Sequence, residues 1–137
     1  MAEGALRAAA DKAGLDITVD SVGTASYHVG EAPDPRAIAT ARRHGVDISG
    51  ALGRQLSEAD FARFTHIFAM DKANMAGIKA RAPRNTDATI ALLLDLVEGR
   101  EGEPVADPYY GDEYNFEQCW QTIQIGIAAL IEELQRQ

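Results

Sequence analysis

The chain has 137 residues, 46% of them apolar and 25% charged, with a formal net charge of −8. That is the make-up of one folded domain over residues 1–137, large enough to bury a core without metal or disulfide staples. The acidic balance disfavours nucleic acid and anionic membranes as partners, and the one cysteine, Cys119, excludes an intrachain disulfide or a thiolate zinc cluster.

No apolar run approaches the roughly 18–20 residues of a membrane span. Met1 to Arg7 lacks the basic flank and apolar stretch of a secretory leader. The expected setting is soluble and cytoplasmic.

Ala2 to Ala13 is rich in helix formers and Gly14 is placed to stop the helix. No Ser, Thr, Asp or Asn precedes it as a cap, so the chain reads as starting inside a helix. Asp16 to Val22 alternates and is β-branched, which predicts a strand. A loop follows from Thr24 to Pro33. Asp34 with Pro35 then sets a cap and first turn, and this helix runs to about His44, before Gly45. Ser57-Glu58-Ala59-Asp60 has the capping-box pattern of a short helix.

Thr65 to Met70 is a short apolar strand, and Asp71 caps a helix from Lys72 to about Ala80. Ile90 to Leu94 is apolar, and periodicity leaves strand and helix both open. Asn115 is the predicted cap of the last helix, with Gln118 at the reciprocal position. Phe116, Cys119, Trp120, Ile123, Ile127, Leu130, Ile131 and Leu134 form its apolar stripe. Strands alternating with helices predict an α/β domain with a mainly parallel sheet.

Two segments can carry chemistry. In Asp107-Pro108-Tyr109-Tyr110-Gly111, the proline stiffens the acid's backbone and two tyrosines offer a flat wall. A carboxyl beside aromatic surface can hold a proton for general acid work; a turn with surface-packed tyrosines is the alternative. The loop Tyr27 to Arg36 follows a strand, where ligand crevices of α/β sheets lie; a long plain connection is the alternative there. His28, His44 and His66 have no metal-ligand spacing, so no metal or other cofactor is expected. His44 reads as a cation at a helix C-terminus. Cys119 reads as core.

In order along the chain stand Met1-Ala2-Glu3, Ser21-Val22-Gly23-Thr24, Tyr27-His28-Val29-Gly30, Pro33-Asp34-Pro35-Arg36, Gly53-Arg54-Gln55-Leu56, Met70-Asp71 and Asp107-Pro108-Tyr109-Tyr110-Gly111. This series resembles the low-molecular-weight protein tyrosine phosphatase family across essentially the whole chain. The resemblance implies a flavodoxin-like, doubly wound parallel sheet of order 2-1-3-4, and hydrolysis of phosphotyrosine through a cysteinyl phosphate. It makes Asp107 the general acid, Tyr27, Tyr109 and Tyr110 the walls for the phosphotyrosine ring, and Ser21 a hydrogen-bonding support of the phosphate loop. The family often has Trp at the position of Tyr27 and Ala at that of Val22.

In that family a Cys-x5-Arg-Ser-Pro loop directly precedes Met-Ala-Glu. Here no Cys-x5-Arg exists, since Ile125 stands six residues after Cys119. The expectation is a domain lacking the first, central strand, the nucleophile and the phosphate-binding arginine, and hence inactive as it stands. Phosphotyrosine proteins or small aryl phosphates become substrates only with that loop restored. The open slot in the sheet invites self-association. A non-catalytic, partner-binding remnant and a truncated arsenate-reductase-like protein of the same fold are the alternatives.

Overall fold

The computed structural model describes residues 1–23, 30, 32–108 and 111–136. Helix α1 (Ala2–Ala13) ends where Gly14 turns left-handed at φ 71°, its N–H returning to the carbonyls of Ala10 and Asp11. Its first turn has no side-chain cap, as the composition implied. Helix α2 (Pro35–Arg43) is capped by the Asp34 carboxylate, which accepts from Arg36 N–H. His44 closes α2, stacked on Trp120 with ring centroids 5.0 Å apart and its Nε2 2.6 Å from Glu117. Helix α3 (Glu58–Arg63) starts with the Asp60 carboxylate accepting from Ser57 N–H.

Strand β1 (His66–Ala69) leads through Asp71, whose carboxylate accepts from Asn74 N–H, into α4 (Lys72–Arg81). Strand β2 (Thr89–Leu92) pairs with β1 in parallel, His66 opposite Thr89 and Ala69 opposite Leu92. The undecided run Ile90 to Leu94 is thus both: strand to Leu92, then a tight helical turn over Leu93–Leu96. The last helix, α5 (Glu113–Gln135), begins one turn before its expected start. Asp112 is the cap, its carboxylate accepting from Asn115 N–H, and Asn115 answers by accepting from Asp112 N–H.

The strand expected over Asp16 to Val22 does not form. Among the described residues this segment makes no backbone–backbone hydrogen bond, and just beyond its end Gly23 forms an isolated parallel bridge to Gln55. Extended residues become a strand only through a ladder with a neighbour. This segment instead borders a cleft. The parallel pair β1–β2 with its crossover helix α4 is the part of the expected sheet that the described residues form.

The apolar core divides in two. Trp120, Ile123 and Ile127 of α5 pack with Ala5 of α1, Ala41 of α2 and Leu93 and Leu94 of the tight turn. Leu56, Phe61, Ile67, Ala69, Ile78 and Leu92 form the second cluster, between the sheet and helices α3 and α4. No helix among the described residues is long and apolar enough to cross a membrane.

One ion pair ties loop to helix below the sheet edge. Asp60 is 4% exposed and takes both guanidinium nitrogens of Arg54 at 3.0 Å, while Arg54 Nη2 also reaches Asp20 at 3.1 Å. Burial works to raise the Asp60 carboxyl, but the bonds from Arg54 and Ser57 outweigh it and hold it below the ordinary carboxylate value. A carboxylate whose folded pKa is depressed adds stability that is complete above its unfolded pKa and is lost as pH falls through the folded value.

Arg54→Ala strips a buried carboxylate of its cation, which typically costs about 3–5 kcal/mol. Water can reach the half-open Arg54 position, so a loss of about 2–3 kcal/mol is expected at pH 7. Denaturant melts should show that deficit shrinking below about pH 4, as Asp60 takes up its proton.

At Gly126 in α5, an added methyl would sit 2.6 Å from Leu93 Cγ. Alanine normally favours a helix over glycine by about 1 kcal/mol. Leu93 is buried and cannot swing away. Overpacking therefore wins, and Gly126→Ala should lower unfolding free energy by about 1–2 kcal/mol in the same assay.

Candidate functional site

A cleft of about 570 Å³ runs between the extended segment 17–22 on one side and Thr65 to Met70 on the other. Met1 and the first turn of α1 also line it, together with Asp107 and Pro108. The two core clusters meet across it: Cys119, Ile123 and Ile127 line it from one, Leu56 and Ile78 from the other.

The first turn of α1 is stitched to the extended segment by side chains. Ser21 Oγ donates to Glu3 at 2.5 Å, Arg7 donates to Glu3 at 3.0 Å, and Arg7 Nη2 donates to the Val19 carbonyl at 2.6 Å. Ser21 therefore stands at the helix N-terminus, where orphan N–H groups and the helix dipole favour an anion. Its hydroxyl is engaged with the first turn of α1.

Asp107 is exposed and stands between two anchors. Before it, Val105 N–H donates to the Met70 carbonyl at 2.7 Å, fixing the segment to the end of β1. After it, Gly111 N–H donates to the Pro108 carbonyl at 2.8 Å and the Gly111 carbonyl accepts from Arg36 Nη1 at 2.7 Å. Arg36 is itself held by Asp34 at 2.8 Å and lies over the Phe116 ring at 4.7 Å. The Arg36 guanidinium in turn lowers the Asp34 carboxyl, first through their hydrogen bond. In sequence Arg36 closes the Tyr27 to Arg36 loop and the Pro33-Asp34-Pro35-Arg36 run. Its role is a contact across 75 residues of chain, which no local pattern carries.

Tyr27, His28, Tyr109 and Tyr110 lie outside the described residues. The ends of the Tyr27 loop are described. Gly23 N–H donates to the Arg54 carbonyl, Leu56 N–H to the Gly23 carbonyl and Gly30 N–H to the Gly53 carbonyl, each at 2.8 Å. Gly30 has φ 82°, a left-handed turn that favours glycine. The Gly53-Arg54-Gln55-Leu56 run thus fastens both ends of the loop, and the Arg54–Asp60 pair fastens that run.

Cys119 sits on the cleft floor inside the first core cluster, as its place on the α5 stripe implied. Burial pushes its thiol up; the N-terminus of Met1 opposes the rise and the Asp107 charge adds to it. A thiol raised by burial is the reverse of the lowered thiol that makes a thiolate nucleophile.

Comparison with known proteins accounts for the same geometry. The pattern described as "Low molecular weight phosphotyrosine protein phosphatase" matches residues 1–137. A Schizosaccharomyces pombe protein of that description is 37% identical over 88% of this chain and 78% of its own. The low molecular weight protein-tyrosine-phosphatase YfkJ of Bacillus subtilis is 37% identical over all of this chain and 88% of its own. The crystal structure of the protein tyrosine phosphatase from Entamoeba histolytica superposes with a TM-score of 0.91 at 28% identity, covering 98% of this chain and 87% of that one. The YfkJ crystal structure superposes with a TM-score of 0.89 at 36% identity, covering 98% and 85%. The fold is therefore the flavodoxin-like α/β kind, and the chain belongs to the low molecular weight phosphotyrosine protein phosphatase family.

Proposed function

We infer that this chain is the general-acid and substrate-wall body of a phosphotyrosine phosphatase, and that its 137 residues do not turn over substrate by themselves. The observation that carries the reading is the cleft, lined by the first turn of α1 and by Asp107. An aryl phosphate placed there has its phosphate at the helix N-terminus. By the family pattern its leaving oxygen meets Asp107, and the pattern assigns the walls for its ring to Tyr27, Tyr109 and Tyr110.

The family reaction has two steps. A thiolate attacks phosphorus and the P–O bond to the phenol breaks as Asp107 gives its proton to the leaving oxygen. Asp107, now a carboxylate, then takes a proton from water as that water displaces the cysteine. The family pattern gives Ser21, whose hydroxyl donates to Glu3 in the first turn of α1, the support of the loop that holds the phosphate. The chain has no Cys-x5-Arg to supply the thiolate and the cradling cation, and Cys119 is buried with its thiol raised. A Cys-x5-Arg-Ser-Pro loop joined before Met1 would enter the cleft beside the first turn of α1. A reduced cytoplasmic setting suits a free catalytic thiol.

The purified chain should hydrolyse an aryl phosphate no faster than its Cys119→Ser variant, because loss of a nucleophile removes roughly 10⁴-fold or more in rate. Vanadate-sensitive turnover that disappears in Cys119→Ser would overturn this and make Cys119 the nucleophile.

With a strand and Cys-x5-Arg-Ser-Pro joined before Met1, phosphatase activity should appear. In that longer chain Asp107→Asn should slow phosphotyrosine hydrolysis by roughly 10²–10⁴-fold. The loss should be smaller for an aryl phosphate whose phenol leaves without a proton. Equal rates with and without the substitution would remove Asp107 from the mechanism.

A further inference from the structure

Charge is spread unevenly over the chain. It has 13 lysines and arginines against 21 aspartates and glutamates. From Phe61 to Leu92 the balance reverses, with Arg63, Lys72, Lys79, Arg81 and Arg84 against Asp71 and Asp87. Ion pairs between described side chains take up arginines on either side of that stretch, from Arg7 to Arg54 and again at Arg100 and Arg136. Arg63, Lys72, Lys79 and Arg84 are exposed, and among the described residues none of the four has a carboxylate at salt-bridge distance.

The fold gathers these cations on one face. Lys72 and Lys79 stand about two turns apart on α4 and therefore share a side of it. Ala76 lies between them, also exposed, so no bulky side chain separates them. The turn after α4 carries Arg84 and is closed by Thr86 N–H donating to the Pro83 carbonyl at 3.2 Å. Thr86 Oγ1 also donates to the Phe61 carbonyl at 3.3 Å. That bond sets the Arg84 turn against the end of α3, where the Arg63 guanidinium lies over the Phe64 ring at 5.0 Å. Cations at helix C-termini answer the helix dipole, but each helix end supplies only about half a negative charge. The ends of α3 and α4 together with Asp87 therefore fall short of Arg63, Lys79 and Arg84, and the corner stays positive. Lys72 extends it along α4.

We propose that this face, from Lys72 along α4 to Arg84 and Arg63, docks an acidic segment of a partner protein, an extended run rich in Asp and Glu. A run of about six residues spans roughly 20 Å, and α4 supplies about 15 Å of that length. A short segment suits the face where a larger polyanion does not. Duplex DNA or an anionic bilayer extends past the cations and meets the acidic remainder of a chain whose net charge is −8. An acidic segment ends where the cations end. The surface does not rest on the phosphatase reading: Lys79 and Arg84 lie at the C-terminal end of α4, while Asp71, which lines the cleft, caps its N-terminal end.

The test titrates the full chain into the fluorescein-labelled peptide Glu-Asp-Glu-Leu-Asp-Glu-Asp, reading anisotropy, and follows backbone amide shifts by NMR. Binding should saturate at low salt, and affinity should fall at least about tenfold between about 20 and 300 mM salt as the screening length contracts. Shifted amides should fall within 63–66 and 72–86. Arg63→Gln, Lys79→Gln and Arg84→Gln together should weaken binding at least about tenfold. Their melting temperature should stay within about 2 °C of the parent, because all three side chains are exposed. Arg63→Lys, Lys79→Arg and Arg84→Lys together should bind as the parent does. Lys12→Gln, which removes an exposed cation of α1, should change affinity less than about twofold. An equal loss from Lys12→Gln would reduce the binding to net charge and overturn the proposal. So would no saturation at low salt, or loss of binding in the charge-conserving variant. Tighter binding of a DNA oligonucleotide of equal charge, or of phosphatidylserine vesicles, with the same shifts would assign the face to nucleic acid or membrane and overturn it. A dimer in light scattering that the three glutamine changes dissolve and the peptide leaves intact would assign the face to a second copy, with the same consequence.

Discussion

The apolar stripe of α5 is the contact on which the placement of the other elements depends. Phe116, Cys119, Trp120, Ile123, Ile127 and Leu130 recur every three or four residues, and all are buried. That one face packs α1, α2 and the tight turn after β2. Through α1 it sets the first turn that Ser21 and Val19 are bonded to. Through Phe116 it seats Arg36, whose guanidinium holds the Gly111 carbonyl and hence one end of the Asp107 segment. Helix packing thus helps to position the Asp107 segment.

What could be read along the chain was whatever depends on near neighbours. The start of α2 at Asp34-Pro35, the capping pattern before α3 and the left-handed Gly14 are each decided within about four residues. The start of α5 shifted because two good caps stand three residues apart. Asp112 and Asn115 satisfy each other's N–H groups, and that exchange adds a turn. The segment 16–22 shows the opposite case. Its alternation is real, but a strand belongs to a pair of segments, and its partner is not a matter of its own composition.

The site divides along the same line. The Asp107 segment stands out in sequence because proline after an acid is a local constraint and two tyrosines follow it. The anchors of that acid were not. Arg36 to Gly111 and Val105 to Met70 join distant parts of the chain. Arg54 is a sharper instance. In sequence it is one residue of an irregular stretch, while in the fold it neutralises buried Asp60 and carries the carbonyl that ends the Tyr27 loop. Signals for such roles exist only as a charged residue beside small ones, a pattern shared by many ordinary loops.

The two anchors of the Asp107 segment come from different parts of the fold. One is a backbone bond at the end of β1, and the other a guanidinium that rests on α5. The segment is therefore held on both sides by elements already packed. The cleft floor is different in kind. Extended backbone borders it, and apolar side chains from both core clusters line it. The Asp107 segment is thus tied by contacts between distant parts of the chain, and the cleft beside it joins the two apolar clusters.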